Sequence, residues 1–171
     1  MRLACICAPG RGETDRLLSE TAAWLIQNGR AVSGVVKVLG NADQGDHHCD
    51  MDLRVLPDGP EIRITQSLGE GAQGCRLDPA GIADAVAAVE SAGTKKADLL
   101  IINKFGPQEA GGRGFCGAIA AALGDNVPVL VGVGPGTLDA FQAFADGMAE
   151  TLPAEPNAIR AWALARSEPL A

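Results

Sequence analysis

Three features of this sequence predict an α/β fold with a mostly parallel sheet, helices on both faces and one antiparallel hairpin, either an insertion or an antiparallel edge of the sheet. Continuous apolar runs over 3–8, 98–103 and 128–133 read as strands buried on both faces. Segments with helical spacing of apolar residues separate them, the pattern of strand–helix–strand units. Two alternating runs, Met51-Asp52-Leu53-Arg54-Val55-Leu56 and Glu61-Ile62-Arg63-Ile64-Thr65-Gln66, flank the turn Pro57-Asp58-Gly59-Pro60 and read as a hairpin.

Taken in order, the first strand runs into Pro9-Gly10, a turn signal. Residues 14–28 follow, with Leu17, Leu18, Thr21, Ala22, Leu25 and Ile26 on one helical stripe and Gly29 as its stop. A second strand is expected over 32–39 and a polar loop over 40–48. The hairpin insertion covers about 49–67, and a Gly-rich loop over 68–78 carries Cys75 and Arg76. Pro79 suits the first position of a helix reaching Ala92. Beyond the apolar strand ending at Asn103, helices are expected over 113–123, 138–149 and about 155–166, with the strand at 128–133 between the first two.

The chain of 171 residues is long enough for a substantial core and is read as one domain, 1–171. Hydrophobic residues make up 47% and charged ones 20%, a globular balance. A net charge of −7 disfavours nucleic acid and anionic membranes as partners. No run of 18 apolar residues occurs, so no membrane insertion is expected. The first residues lack a signal peptide's apolar core, which points to a cytoplasmic location. Five cysteines without a framework spacing then read as free thiols.

The first turn carries a motif with its charge inverted. Cys7-Ala8-Pro9-Gly10-Arg11-Gly12-Glu13-Thr14 aligns with the phosphate-binding pattern Gly-x-x-x-x-Gly-Lys-Ser/Thr. Gly12 and Thr14 match, Cys7 takes the first glycine's place, and Glu13 takes the lysine's. A carboxylate there repels the phosphates that an ammonium would hold. Gly10, Gly12 and Thr14 still offer backbone N–H groups at a helix start, where a small oxyanion is less opposed than a nucleotide.

The element order resembles that of small P-loop nucleoside-triphosphatases of the thermophile nucleotide-phosphatase type, which implies a three-layer fold. The stretches Cys49-Asp50-Met51-Asp52-Leu53-Arg54, Gly74-Cys75-Arg76-Leu77-Asp78-Pro79 and Asp98-Leu99-Leu100-Ile101-Ile102-Asn103-Lys104-Phe105-Gly106, with Glu109-Ala110 and Gly112-Arg113-Gly114-Phe115, are more similar still to an uncharacterised bacterial family named near molybdenum transport. The active triphosphatases end their second acidic motif in Asp-Glu, which serves Mg²⁺ and the attacking water. The matching positions here are Asn103 and Lys104, and Asn lacks the carboxylate that Mg²⁺ favours. The resemblance therefore implies a degenerate scaffold that no longer hydrolyses nucleotide.

Several groups are candidates for a ligand. Lys104 pairs with Glu13, points into the pocket as the replacement cation, or is with Glu13 one of two solvated loop charges. Arg76 and Arg113 have guanidinium forks suited to tetrahedral oxyanions; the plainer reading pairs Arg113 with Glu109 and Arg76 with Asp78. His47, His48, Cys49 and Cys75 are the densest group of metal-type ligands, of a kind suited to Zn²⁺ or Cu, although their spacing fits no strong zinc pattern. Cys5, Cys7 and Cys116 have no base nearby and read as core or loop thiols. Ile159, Trp162 and Leu164 on the last helix either pack on the chain's own sheet or bury in a homodimer.

Two functions follow. The first is a non-hydrolysing binding module for a small anion, molybdate foremost given the resemblance, or for a protein partner. The second is a divergent Mg-dependent triphosphatase, with Lys104 on phosphate and Asp50, Asp52 or Glu109 on the metal.

Overall fold

The computed structural model describes residues 1–40, 51–66 and 76–165. A seven-stranded sheet forms the middle layer. Its strands are β1 (Leu3–Ile6), β2 (Val32–Lys37), β3 (Asp52–Val55), β4 (Glu61–Arg63), β7 (Leu99–Phe105), β8 (Val129–Val133) and β9 (Ala149–Leu152), in the spatial order β4-β3-β2-β7-β8-β1-β9. The five strands β2, β7, β8, β1 and β9 run parallel, and β3 and β4 continue the sheet antiparallel at one edge. The expected hairpin is thus an extension of the main sheet.

Side chains alternate between the two faces of each strand, and each face carries its own apolar layer. On one face Cys5, Val35, Leu100, Ile102 and Val131 meet α2 (Pro79–Ala92), α4 (Cys116–Gly124) and α5 (Leu138–Ala145). On the other, Ala4, Ile6, Ile101 and Leu130 meet α1 (Glu13–Gln27) and α6 (Pro156–Leu164). The helices begin and end where local chemistry directs. Asp78 accepts the Ala80 N–H at 3.0 Å and caps α2, with Pro79 next. Helix α1 stops at Gly29, where φ is +74° and the Arg30 N–H returns to the Leu25 carbonyl at 3.0 Å.

Four boundaries differ from the sequence expectation. The second hairpin strand stops at Arg63. Thr65–Gln66 (β5) then turns away to pair with Arg76–Leu77 (β6). Ile64, between them, binds Met51 through its N–H and Asp78 through its carbonyl, which redirects the chain. The helix expected over 113–123 starts only at Cys116; a short α3 (Pro107–Ala110) and a loop precede it. The helix expected over 138–149 ends at Ala145, and Ala149–Leu152 becomes edge strand β9 against β1. Ala, Glu and Leu favour helix, but the open edge of β1 outweighs that preference. The loop expected to begin at Lys104 starts two residues later, since β7 runs to Phe105.

The last helix settles one alternative. Ile159 is 0% and Trp162 7% exposed, both packed in the chain's own core, while Leu164 is 40% exposed. The Trp162 indole N–H donates to Glu150 at 3.0 Å, and the Arg2 guanidinium sits 4.4 Å from its ring. The two largest apolar groups proposed for a homodimer are therefore used internally. Replacing Ile159 with Ala should cost about 2–5 kcal/mol in urea denaturation. A loss below about 0.5 kcal/mol would contradict the packing assigned to α6.

Candidate functional site

The C-terminal ends of the parallel strands, where ligands bind in open α/β sheets, bring together the turn after β1, the end of β2 and the loop after β7. Gly12 adopts φ +74° and turns the chain into α1, a conformation glycine adopts without Cβ strain. The Thr14 hydroxyl accepts the Ala8 N–H at 3.0 Å and closes the turn. The Glu13 side chain folds back, and its Oε2 accepts the Gly10 N–H at 3.3 Å. A carboxylate of the chain itself thus occupies the donor that a bound anion would use. Glu13 and Lys104 do not pair.

Asn103 is 3% exposed, and both ends of its amide are engaged. Its Nδ2 donates to Asp15 Oδ1 at 3.0 Å, and its Oδ1 accepts the Lys37 backbone N–H at 3.0 Å. The Lys37 ammonium lies 3.5 Å from Asp15 Oδ2. One junction therefore ties β7, β2 and the first turn of α1. Glycine at 132 on β8 lets α1 descend to this level: a Cβ there would stand 2.2 Å from the Asn103 carbonyl and 3.0 Å from Thr14 Cγ2. Sequence reasoning missed Asp15 and Lys37; the available signal was a lysine ending an otherwise apolar strand.

The loop after β7 is organised by Glu109, 5% exposed. Its two oxygens accept the N–H groups of Gly106 at 2.9 Å and Phe115 at 3.1 Å. Gly114, at φ +61°, leaves the room this needs, since a Cβ would fall 2.0 Å from Glu109 Oε1. Glu109 therefore does not pair with Arg113, and its oxygens are not free for Mg²⁺. Asp52 is likewise taken, by Arg63 at 2.9 Å. Asp78 caps α2 rather than pairing with Arg76. Lys104, Arg76 and Arg113 are all exposed, and none forms an ion pair among the described residues.

Lys104 lines a cleft of about 100 Å³ floored by Asn103 and walled by Val35, Leu53, Ile64 and Phe115. A larger groove of about 340 Å³ opens at the opposite end of the sheet, beside Asp98 and Asn126. His47, His48, Cys49, Cys75 and Asp50 lie outside the described residues. Among those described, no three His, Cys, Asp or Glu side chains are grouped to hold a metal, and no helix is long and apolar enough to cross a membrane.

The α/β fold is shared with two solved structures. A human cancer-related nucleoside triphosphatase in solution matches with TM-score 0.58 at 17% identity, over 88% of this chain and 87% of its own. The crystal structure of THEP1 from the hyperthermophile Aquifex aeolicus matches with TM-score 0.63 at 13% identity, over 92% and 91%. The chain itself belongs to DUF2478, a family described as protein of unknown function, whose model matches residues 3–162. It is 39% identical over 163 residues to part of the molybdenum import ATP-binding protein ModC 2 of Bradyrhizobium diazoefficiens. That match takes in 94% of this chain and 18% of the relative's length.

Two measurements check the site. Asn103→Ala removes two buried hydrogen bonds and leaves Asp15 and the Lys37 N–H short of a partner, so stability should fall by about 1–3 kcal/mol. Asn103→Asp should fall further at neutral pH, where it sets a second carboxylate beside Asp15, and should recover part of that loss in acid. A variant as stable as the parent would remove the junction from the account. Burial raises the Cys5 thiol above its ordinary 9.0, opposed by the Thr151 hydrogen bond and assisted by Cys7. Burial, assisted by Glu109, likewise raises Cys116. A raised folded value contributes stability below the unfolded pKa that is lost as pH climbs through the folded one. Stability should hold to about pH 8 and decline above about pH 9, and Cys5→Ala/Cys116→Ala should flatten that decline.

Proposed function

We propose that this chain is a non-hydrolysing binding module on a P-loop-type scaffold, with a small oxyanion, molybdate foremost, as its ligand in molybdenum handling. One observation carries the reading: the Glu13 carboxylate stands at the lysine position of the loop and accepts the Gly10 N–H. Mg-nucleotide would have to displace that carboxylate and then sit beside it. The second motif supports the same conclusion, because the Asn103 amide is consumed by Asp15 and Lys37. Asp52 and Glu109, the other candidate Mg²⁺ ligands among the described residues, are committed to Arg63 and to backbone N–H groups.

Lys104 lines the cleft and supplies positive charge for an oxyanion, Arg76 and Arg113 lie outside that lining, and none of the three is neutralised by an ion pair among the described residues. Molybdenum enters through the name of the Bradyrhizobium relative, an association of sequence rather than of chemistry. A protein partner is the second reading. It is favoured by one fact: the related segment is 18% of a longer protein, where it is joined to other segments.

A thermal-shift titration separates these readings. Molybdate or tungstate at a hundred times its dissociation constant should stabilise by about 2.7 kcal/mol, a rise of roughly 5–10 °C, and Lys104→Ala should reduce it. Mg-ATP and Mg-GTP should give no shift. Stabilisation by Mg-nucleotide, or its hydrolysis, would overturn the proposal in favour of a divergent triphosphatase. No shift with any anion would leave the protein partner.

A further inference from the structure

We infer that the cleft beside Lys104 takes a small organic anion, its charged end at the ammonium and a branched hydrocarbon body between β2, β3 and the loop after β7. The inference rests on the reading of Lys104 as an anion-binding cation proposed above and replaces the inorganic ligand with an organic one. An inorganic oxyanion has no use for apolar walls, yet the walls here are Val35, Leu53, Ile64 and Phe115, from the sheet, its hairpin and the start of α4.

The polar groups of the cleft are unequal. Asn103 spends its amide on Asp15 and Lys37, and Glu109 spends both oxygens on the N–H groups of Gly106 and Phe115. Glu109 is therefore not left to recognise a ligand; Asn103 keeps one N–H, and Gln108 is a further neutral polar group of the lining. Lys104 lines the same cleft, is exposed, and forms no ion pair among the described residues. An apolar cleft whose lysine has no ion pair among the described residues selects a molecule that is apolar along its body and oppositely charged at one end.

Volume sets the size. A dry apolar cavity of about 150 Å³ accepts benzene. The present cleft, about 100 Å³, accordingly suits a body of roughly four carbons. A branched short-chain carboxylate such as isovalerate meets both requirements. The Lys104 ammonium contributes orientation more than affinity, since contacts between exposed charges are weak.

Methyl NMR of the intact chain tests this, reading Val35, Leu53, Ile64 and Ile82 during titration with isovalerate, acetate, isovaleramide and molybdate. Isovalerate should shift these methyls saturably, and acetate, with three fewer carbons, should bind at least about tenfold more weakly. Lys104→Met should weaken isovalerate by roughly threefold and leave the neutral amide unchanged, and Lys104→Arg should restore it. Equal binding of carboxylate and amide, or of isovalerate and acetate, would overturn the inference. So would the absence of any methyl shift. If molybdate alone binds, the oxyanion site stands and the organic ligand fails. If isovalerate binds and molybdate does not, the inorganic assignment fails and this one holds.

Discussion

A primary amide in an apolar interior must find partners for two donors and an acceptor, because water is not there to supply them. Asn103 finds a partner for one N–H and one for its oxygen on two other elements: Asp15 on the first turn of α1 and the backbone of Lys37 at the end of β2. The Lys37 ammonium then offsets the Asp15 charge. This junction sets how far α1 descends over β8 and so where the turn after β1 lies relative to the loop after β7. The groups at the C-terminal ends of β1, β2 and β7 are arranged by it. Its polar partners are committed to one another, which leaves Lys104 as the exposed charge at the end of β7.

The same economy governs the two carboxylates nearest those strand ends. Glu13 turns inward onto Gly10, and Glu109 collects the N–H groups of Gly106 and Phe115. Both satisfy backbone donors in turns that have no sheet or helix partner for them. In an active phosphate loop such donors face a bound anion. Here the chain's own Glu13 carboxylate accepts the Gly10 N–H.

Charge elsewhere follows a different logic. At the β4 edge, Arg54 pairs with Glu61 and Arg63 with Asp52 across the hairpin. These exposed pairs add little stability, but charged side chains on an edge strand discourage pairing with another chain. At the opposite edge, β9 is only four residues long, a second way of limiting an open edge.

The layered α/β architecture is legible along the chain, because a continuous apolar run reads as a strand buried on both faces and a 3.6-residue stripe as the helix covering it. The stop of α1 and the start of α2 are legible too, since Gly29, Asp78 and Pro79 act through bonds to residues within a few positions. The remaining features depend on partners distant in sequence. Asp15 meets Asn103 across 88 positions, Thr65 leaves the first hairpin for β6, and Ala149–Leu152 abandons its helical preference for the edge of β1. Pairing of Arg113 with Glu109 was one of the two readings of these neighbours. It does not form, because the carboxylate gains more from two backbone N–H groups in the interior than from a solvated guanidinium at the surface.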